Sequence, residues 1–514
     1  MLRRIRRSEL NELAREWHFS LDETELDEFH ALTEYIADVL DGLDRQSPAP
    51  VRVLEAVRDA GRRPAEGEDP YNAIVRFCSV KADAEGILSG VRLGLKDAIA
   101  IAGIPMTCGS RVLQGFVPTR DSVVTERLLR AGAEIVATTN MDNLAFSGGG
   151  DTSAYGPTLC PFDTARTAGG SSSGSGAALY YDDVDVTLGG DQGGSIRVPA
   201  AWCAVLGLKP THSLVPYTAI AGIDQSFDHC GPMARTAADA ARLLQAIAGK
   251  DESDPRQREV PVQDYLKAVA EAPDNLRGVR IGVVPEGFDE AVGIEQEVAE
   301  ATRGAIERLR ELGAEVCELS VPEHLQAGGI AFVGFVEGMT ALVGAGGNGY
   351  HWTGAYWPEL ALALREGLAA FGDELSPQMK LTLICGSHLR QRYRGALYAK
   401  AQNLRPALRA GYDRALGEVD YLVMPTTPGL PHVDDPTLPI SAHVKRGWGV
   451  LANTYPMDMT GHPALTIPAA EAGGLPAGVM LVGRHFDDAG LLAVARTYEQ
   501  RYGWVPAHPG DPRR

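Results

Sequence analysis

Apolar residues recur along this chain with two different periods. Between residues 8 and 45, Leu26, Phe29, Thr33, Ile36 and Leu40 fall three or four apart with polar residues between them, the spacing of one helix face. Ser20 and Glu23 have the spacing of a capping box at the start of that segment. The following stretch, RQSPAPVRVLEAVRDAGRRPAEGEDP, reads as a connection with one short helix. Residues 1–70 are therefore expected to form an N-terminal helical extension. Its apolar face must cover either the main body or a second copy of the chain, and a homodimer is expected.

From about residue 90 the pattern changes to short strands alternating with helices. SVVTERLLRAGAEIVATT reads as a helix, a stop at Gly132 and a strand; EVAEATRGAIERLRELGAEVCELSV repeats this with Gly313 at the turn. Val184, Val186 and Leu188 alternate with polar residues, and VRIGVV, DYLVMP, LTIPA and GVMLVG are further short apolar runs. Such alternation predicts an α/β fold over residues 71–514, a sheet flanked by helices. Residues 325–410 are rich in helix formers and lack strand signals, so a helical segment is expected there. There is no internal repeat.

Composition narrows the function classes. The 514 residues are 45% hydrophobic, enough for a large core. A net charge of −19 argues against a nucleic-acid surface, which needs basic patches. Seven cysteines are scattered without a CxxC pair, as in reduced proteins of the cytoplasm. The basic start MLRRIRRSEL is not followed by an apolar h-region, so no signal peptide is expected, and no run of 18 apolar residues points to a membrane.

Candidate chemistry concentrates in GGSSSGSGAALYYDDVDVTLGGDQGGSIRVPAAW, residues 169–202, which contains two Gly-Gly-Ser tripeptides. A flexible linker does not fit, because strand-patterned VDVTLGG and apolar IRVPAAWCAVLGL follow at once. A P-loop lacks its lysine, and GSGAAL lacks the third glycine of a dinucleotide fingerprint. Gly170-Ser171-Ser172-Ser173-Gly174 satisfies the GxSxG nucleophile elbow, with Ser172 as nucleophile and His229, His388 or His462 as a partner. The elbow wants an apolar strand before it, whereas CPFDTARTAGG is polar and turn-rich. The remaining reading uses both serines. Two glycine corners around one strand bring Ser171 and Ser195 to one end of a sheet, and DQGGS offers successive backbone N–H groups to a developing oxyanion. The base that such a serine needs can be a lysine, provided burial keeps it neutral. Lys96, in the otherwise apolar RLGLKDAIAIAGIP, is a candidate, against the usual solvated role of lysine.

Taken together, GGSSSGSGAAL, GGDQGGSIRVPAAWCAVLGLKPT and GLKDAIAIAGIP resemble the amidase signature family, over roughly residues 75–505. GGDQGGSIR and GRHFDD are most similar to bacterial amidases that follow nitrile hydratase in nitrile breakdown. The resemblance implies an α/β/α sandwich with a mixed sheet and a Ser–cisSer–Lys triad. In it Ser195 is the nucleophile, Ser171 bridges it to Lys96, and a cis peptide follows Gly170. It implies an oxyanion hole from the N–H groups of Gln192, Gly193, Gly194 and Ser195. Gly170, Ser172, Asp191 and Arg197 support the serines and their loop. Phe146 and Ser147 match the segment that lines the acyl pocket, and Phe227 and Trp448 lie in segments similar to pocket-forming ones, with plain core packing as the other reading. Two departures stand out: Ser173 replaces a common glycine, and CPFD carries Cys160 where the family has Asn.

The expected activity is hydrolysis of a small-molecule carboxamide, with no cofactor. Other readings are a hydrolase of urea-like, carbamate or hydrazide substrates, the glutaminase-type component of a tRNA amidotransferase, and a binding protein on an inactive scaffold. His462 in TGHPAL and His485 in GRHFDD have no paired ligand spacing, so no metal is expected. Asp97 is expected to be structural.

Overall fold

A computed structural model describes residues 3–46, 53–344 and 352–506. The chain divides into two compact units, Met1–Arg52 and Val53–Arg514.

The first unit is a helical pair, Arg7–Glu16 and Glu23–Asp44. The break falls at His18, whose φ of 62° is left-handed. The capping box is built by Asp22 and Glu25, two residues beyond the expected Ser20–Glu23 pair: Glu25 N–H donates to Asp22 Oδ1 and Asp22 N–H to Glu25 Oε2, both at 2.9 Å. The basic start is held by the acidic helix. Arg7 Nε lies 2.7 Å from Asp27 Oδ1, and Arg4 Nη2 lies 2.9 Å from Asp41 Oδ2. Leu26 is buried, whereas Phe29, Tyr35, Ile36, Val39 and Leu43 remain exposed.

The second unit is α/β. Its strands in chain order are β1 (Val57–Arg62), β2 (Ile74–Lys81), β3 (Arg92–Lys96), β4 (Glu134–Thr139), β5 (Leu159–Cys160), β6 (Asp163–Thr167) and β7 (Val186–Asp191). They continue with β8 (Leu206–Lys209), β9 (His229–Ala234), β10 (Arg280–Val283), β11 (Glu315–Glu318), β12 (Tyr421–Pro425), β13 (Ala464–Ala472) and β14 (Leu475–Val482). All but β5 and β6, which pair with each other, form one 12-stranded sheet of order β1-β2-β4-β3-β7-β9-β8-β13-β14-β12-β10-β11. The sheet is mixed: β4, β3 and β7 run parallel, as do β12, β10 and β11, with antiparallel pairs between these groups.

Helices cover both faces, which is why the central strands are apolar throughout rather than alternating. In β12, Tyr421 and Val423 enter one core and Leu422 and Met424 the other. The first core packs against the helices Ala237–Ile247, Gln296–Glu311 and Asp488–Tyr502, and the second against the helices between Pro322 and Glu418. No strand occurs among the described residues of that helical stretch. Its first part, Pro322–Gly344, is long and apolar enough by composition to cross a membrane, but 56% of that window is buried inside this unit.

One segment departs from expectation. Val57–Arg62, read as part of a helix-bearing extension, is the edge strand β1, with Val57 opposite Lys81. Arg58 pins it by a two-pronged bond to Asp121, at 2.9 and 2.6 Å, and by a bond to Ala102 O. These partners lie 44 and 63 residues away. Helical periodicity in VRVLEAVRDAGRR is a local signal and is overridden by them.

Candidate active site

Parallel strands β3 and β7 are hydrogen-bonded neighbours, with Leu95 opposite Leu188. Their last residues, Lys96 and Asp191, therefore leave the sheet at the same edge, the carboxyl end where α/β sheets hold ligands. Lys96 is 1% exposed. Its Nζ donates to Ser171 Oγ at 2.8 Å and to Gly190 O at 3.2 Å. Burial lowers its pKa to about 8, against the opposing pull of Asp191 and Asp142.

The serine-rich segment turns tightly against this lysine. The Gly170–Ser171 peptide is cis. A Cβ on Gly170 would stand 1.8 Å from Asp142 Oδ2, so only glycine fits. Asp142 is itself fixed: it accepts from Gly150 N–H and Thr152 N–H, each at 3.0 Å, and its own N–H donates to Ser171 O at 3.2 Å. Ser172 hydrogen-bonds both backbone groups of Gly190, at 3.1 and 3.2 Å, and its N–H donates to Ser195 O at 3.1 Å. Among the described residues no histidine bonds Ser171, Ser172 or Ser195, which removes the basis of the nucleophile-elbow reading. Ser173 bonds Thr158 Oγ1 at 3.0 Å, and Cys160 donates to Trp202 O at 3.3 Å, so the two departures from the family pattern both lie in buried structure.

After β7, Asp191 organises the loop that carries Ser195. Its Oδ1 accepts from Gly194 N–H at 2.6 Å and its Oδ2 from Ile196 N–H at 3.1 Å. Arg197 clamps the same carboxylate from Nε and Nη2, both at 2.9 Å. The guanidinium also reaches Asp458 Oδ2 and Thr454 O, each at 2.7 Å. Burial pushes the Asp191 carboxyl up, but the charge and hydrogen bonds of Arg197, the charge of Lys209 and the N–H of Ile196 together outweigh it and hold the pKa at about 2. One expectation is corrected here. Gly194 N–H is committed to Asp191 and is not free for an oxyanion; the donors left open by the hydrogen-bond pattern are those of Gln192, Gly193 and Ser195. Gly194 has a φ of +143°, and a Cβ there would meet Thr454 Oγ1 at 2.2 Å.

Ser195 opens on a pocket lined by Ala145, Phe146, Ser147, Gln192, Gly193, Ile223, Phe335, Trp448 and Leu451. The rings of Phe335 and Trp448 stand edge-on to Phe146, with centroids 6.4 and 6.3 Å away. Of the four residues proposed from the sequence to line a pocket, Phe146, Ser147 and Trp448 do so. Phe227 does not: it is fully buried behind Phe335, with ring centroids 5.7 Å apart. Ser195 Oγ makes no hydrogen bond with another described residue, so the contact between Ser171 and Ser195 hydroxyls is not closed in this structure. Asp142, Phe335, Thr454 and Asp458 were not foreseen. Asp97, buried beside Lys96, accepts from Thr107 N–H at 2.9 Å and holds a turn.

A buried lysine, two serine corners and an N–H loop thus meet at one end of the mixed sheet. The Amidase family model matches residues 76–492, and the chain belongs to the amidase signature family. It is an amide-hydrolysing enzyme. An enantioselective amidase of Rhodococcus rhodochrous is 37% identical, over 87% of this chain and 86% of its own. A glutamyl-tRNA(Gln) amidotransferase component of a Synechococcus strain is 36% identical, over 93% and 96%. Among solved structures, the peptide amidase of Stenotrophomonas maltophilia has a TM-score of 0.64 at 30% identity, covering 81% of this chain and 83% of its own.

Proposed function

We propose that the enzyme converts a carboxamide to a carboxylic acid and ammonia, or a small amine, through an acyl-enzyme on Ser195. The observation that carries this reading is the 2.8 Å bond between a fully buried Lys96 Nζ and Ser171 Oγ at the sheet edge that presents Ser195. Ser195 Oγ, turned from the pocket toward Ser171, gives its proton to Ser171 Oγ as the proton of Ser171 passes to neutral Lys96. The new bond from Ser195 Oγ to the carbonyl carbon places negative charge on the carbonyl oxygen, which Gln192, Gly193 and Ser195 N–H groups receive. Collapse breaks the C–N bond, and the relay returns the proton to the leaving nitrogen. Water attacks the ester by the same route and releases the acid.

The pocket supports an aromatic or bulky apolar acyl group, because its walls are Phe146, Phe335, Trp448, Ile223 and Leu451. A homodimer is supported by the row of exposed apolar residues on helix Glu23–Asp44, and a cytoplasmic location by seven unpaired cysteines. A second reading, a component of an amidotransferase, is supported by near full-length similarity to one; glutaminase activity appearing only with added partner chains would establish it. The main reading is tested with a panel of aliphatic and aromatic amides assayed for ammonia. Wild type should favour the aromatic amides, and Ser195→Ala should release no ammonia above background. Turnover by that variant at the wild-type rate contradicts the assignment.

A further inference from the structure

Away from the pocket, three segments bring together Asp413 from helix Ala396–Glu418, His462 from the turn before β13, and His485 from the turn after β14. Asp413 Oδ1 lies 3.0 Å from His462 Nε2 and 3.9 Å from His485 Nδ1, and all three ligand atoms fall within 4.8 Å of one another. Tetrahedral zinc with bonds of about 2.0–2.2 Å sets its ligand atoms roughly 3.3–3.5 Å apart, so the cluster is within about 1.5 Å of ligating geometry.

The remote ring nitrogens point the same way. His485 Nε2 is 3.1 Å from Thr460 O. A carbonyl only accepts, so Nε2 carries the hydrogen and Nδ1 turns a lone pair toward Asp413. His462 Nδ1 is 2.9 Å from Thr460 Oγ1. One residue thus orients both imidazoles, in the manner of outer partners at metal sites. Arg409 Nε holds the other carboxylate oxygen at 3.3 Å, which leaves Oδ1 to face the histidines. His485 also lines a cavity of about 710 Å³ with Thr460, Arg405 and Arg409, where water or an anion can complete the coordination.

We propose that Asp413, His462 and His485 form a site for one divalent transition-metal ion, zinc or cobalt, separate from the serine–lysine chemistry. Two imidazoles and one carboxylate select such ions over magnesium or calcium. The ion staples three segments. Thr460 ends the helix Tyr455–Thr460, whose Asp458 holds Arg197, so the staple supports the oxyanion loop at one remove. The sequence hides this site because its ligands come from three distant segments with no motif.

The test uses the full chain, stripped with a chelator and titrated with Zn²⁺ or Co²⁺. Expected are one equivalent of Zn²⁺ retained through gel filtration, ligand-field absorption on adding Co²⁺, and a raised melting temperature with Zn²⁺ but not Mg²⁺. Asp413→Asn and His485→Gln should each weaken Zn²⁺ binding at least tenfold while keeping the wild-type circular dichroism spectrum. Absence of stoichiometric binding, equal binding by the Asp413→Asn/His485→Gln double variant, or an equal response to Mg²⁺ overturns the proposal.

Discussion

The proposed chemistry turns on Lys96, because a lysine acts as a base only when neutral. With its pKa lowered to about 8 by burial, deprotonation requires the pH to rise through that value. Activity in kcat/KM is therefore expected to climb with pH up to about 8 and to fall roughly tenfold per pH unit below about 7. Lys96→Ala should lower kcat by roughly 10²–10⁴-fold and flatten that acidic limb. A pH–rate series on both proteins checks this; a surviving limb in the variant points to another base. At this scale Ser171 and Ser195 drew notice through their Gly-Gly-Ser corners, whereas Lys96 was marked only by the apolar run around it and by the family resemblance. Phe335 and Thr454 were not legible. Each works through contact with a loop more than a hundred positions away, and nothing in its own neighbourhood marks it. Gly194 shows the converse: its presence was legible, but not that its N–H is taken by Asp191.

At the scale of elements, the site depends on one loop held by a buried ion cluster. Asp191, Arg197 and Asp458 have fully buried side chains. Breaking such a cluster from one side leaves an uncompensated charge, at a cost of about 3–5 kcal/mol. Asp191→Ala should therefore lower stability by about that much and release Gly194 and Ile196 from their anchor. Urea unfolding together with kcat measures both effects; a variant with wild-type stability and turnover contradicts the role given to the cluster. The strand β7 that leads into this loop was readable from the alternation of Val184, Val186 and Leu188, although the structure buries it along its whole length. β1 was not readable, because its pairing depends on Arg58 and its distant partners rather than on its own periodicity.

For the whole molecule, the parallel pair β3 and β7 fixes where the site must lie, and the alternation of strands and helices announced that architecture. Helix within residues 8–45 was legible too, but not its break at His18, and the capping box lies two residues later than expected. Ile36 and Val39 of the second helix are exposed. The homodimer proposed above predicts a solution mass near twice that of one 54.8 kDa chain, and Ile36→Glu/Val39→Glu should bring it down to one chain by light scattering. A double variant that keeps the wild-type mass assigns that surface no role in assembly.

The central claim, a Ser195 nucleophile driven by neutral Lys96 through Ser171, is met most directly by labelling with a fluorophosphonate and locating the adduct by peptide mass spectrometry. The account predicts a single adduct on Ser195, formed faster as pH rises through about 8 and greatly slowed by Lys96→Ala. An adduct on Ser172, or labelling of Ser195 at an unchanged rate without the lysine, would contradict it.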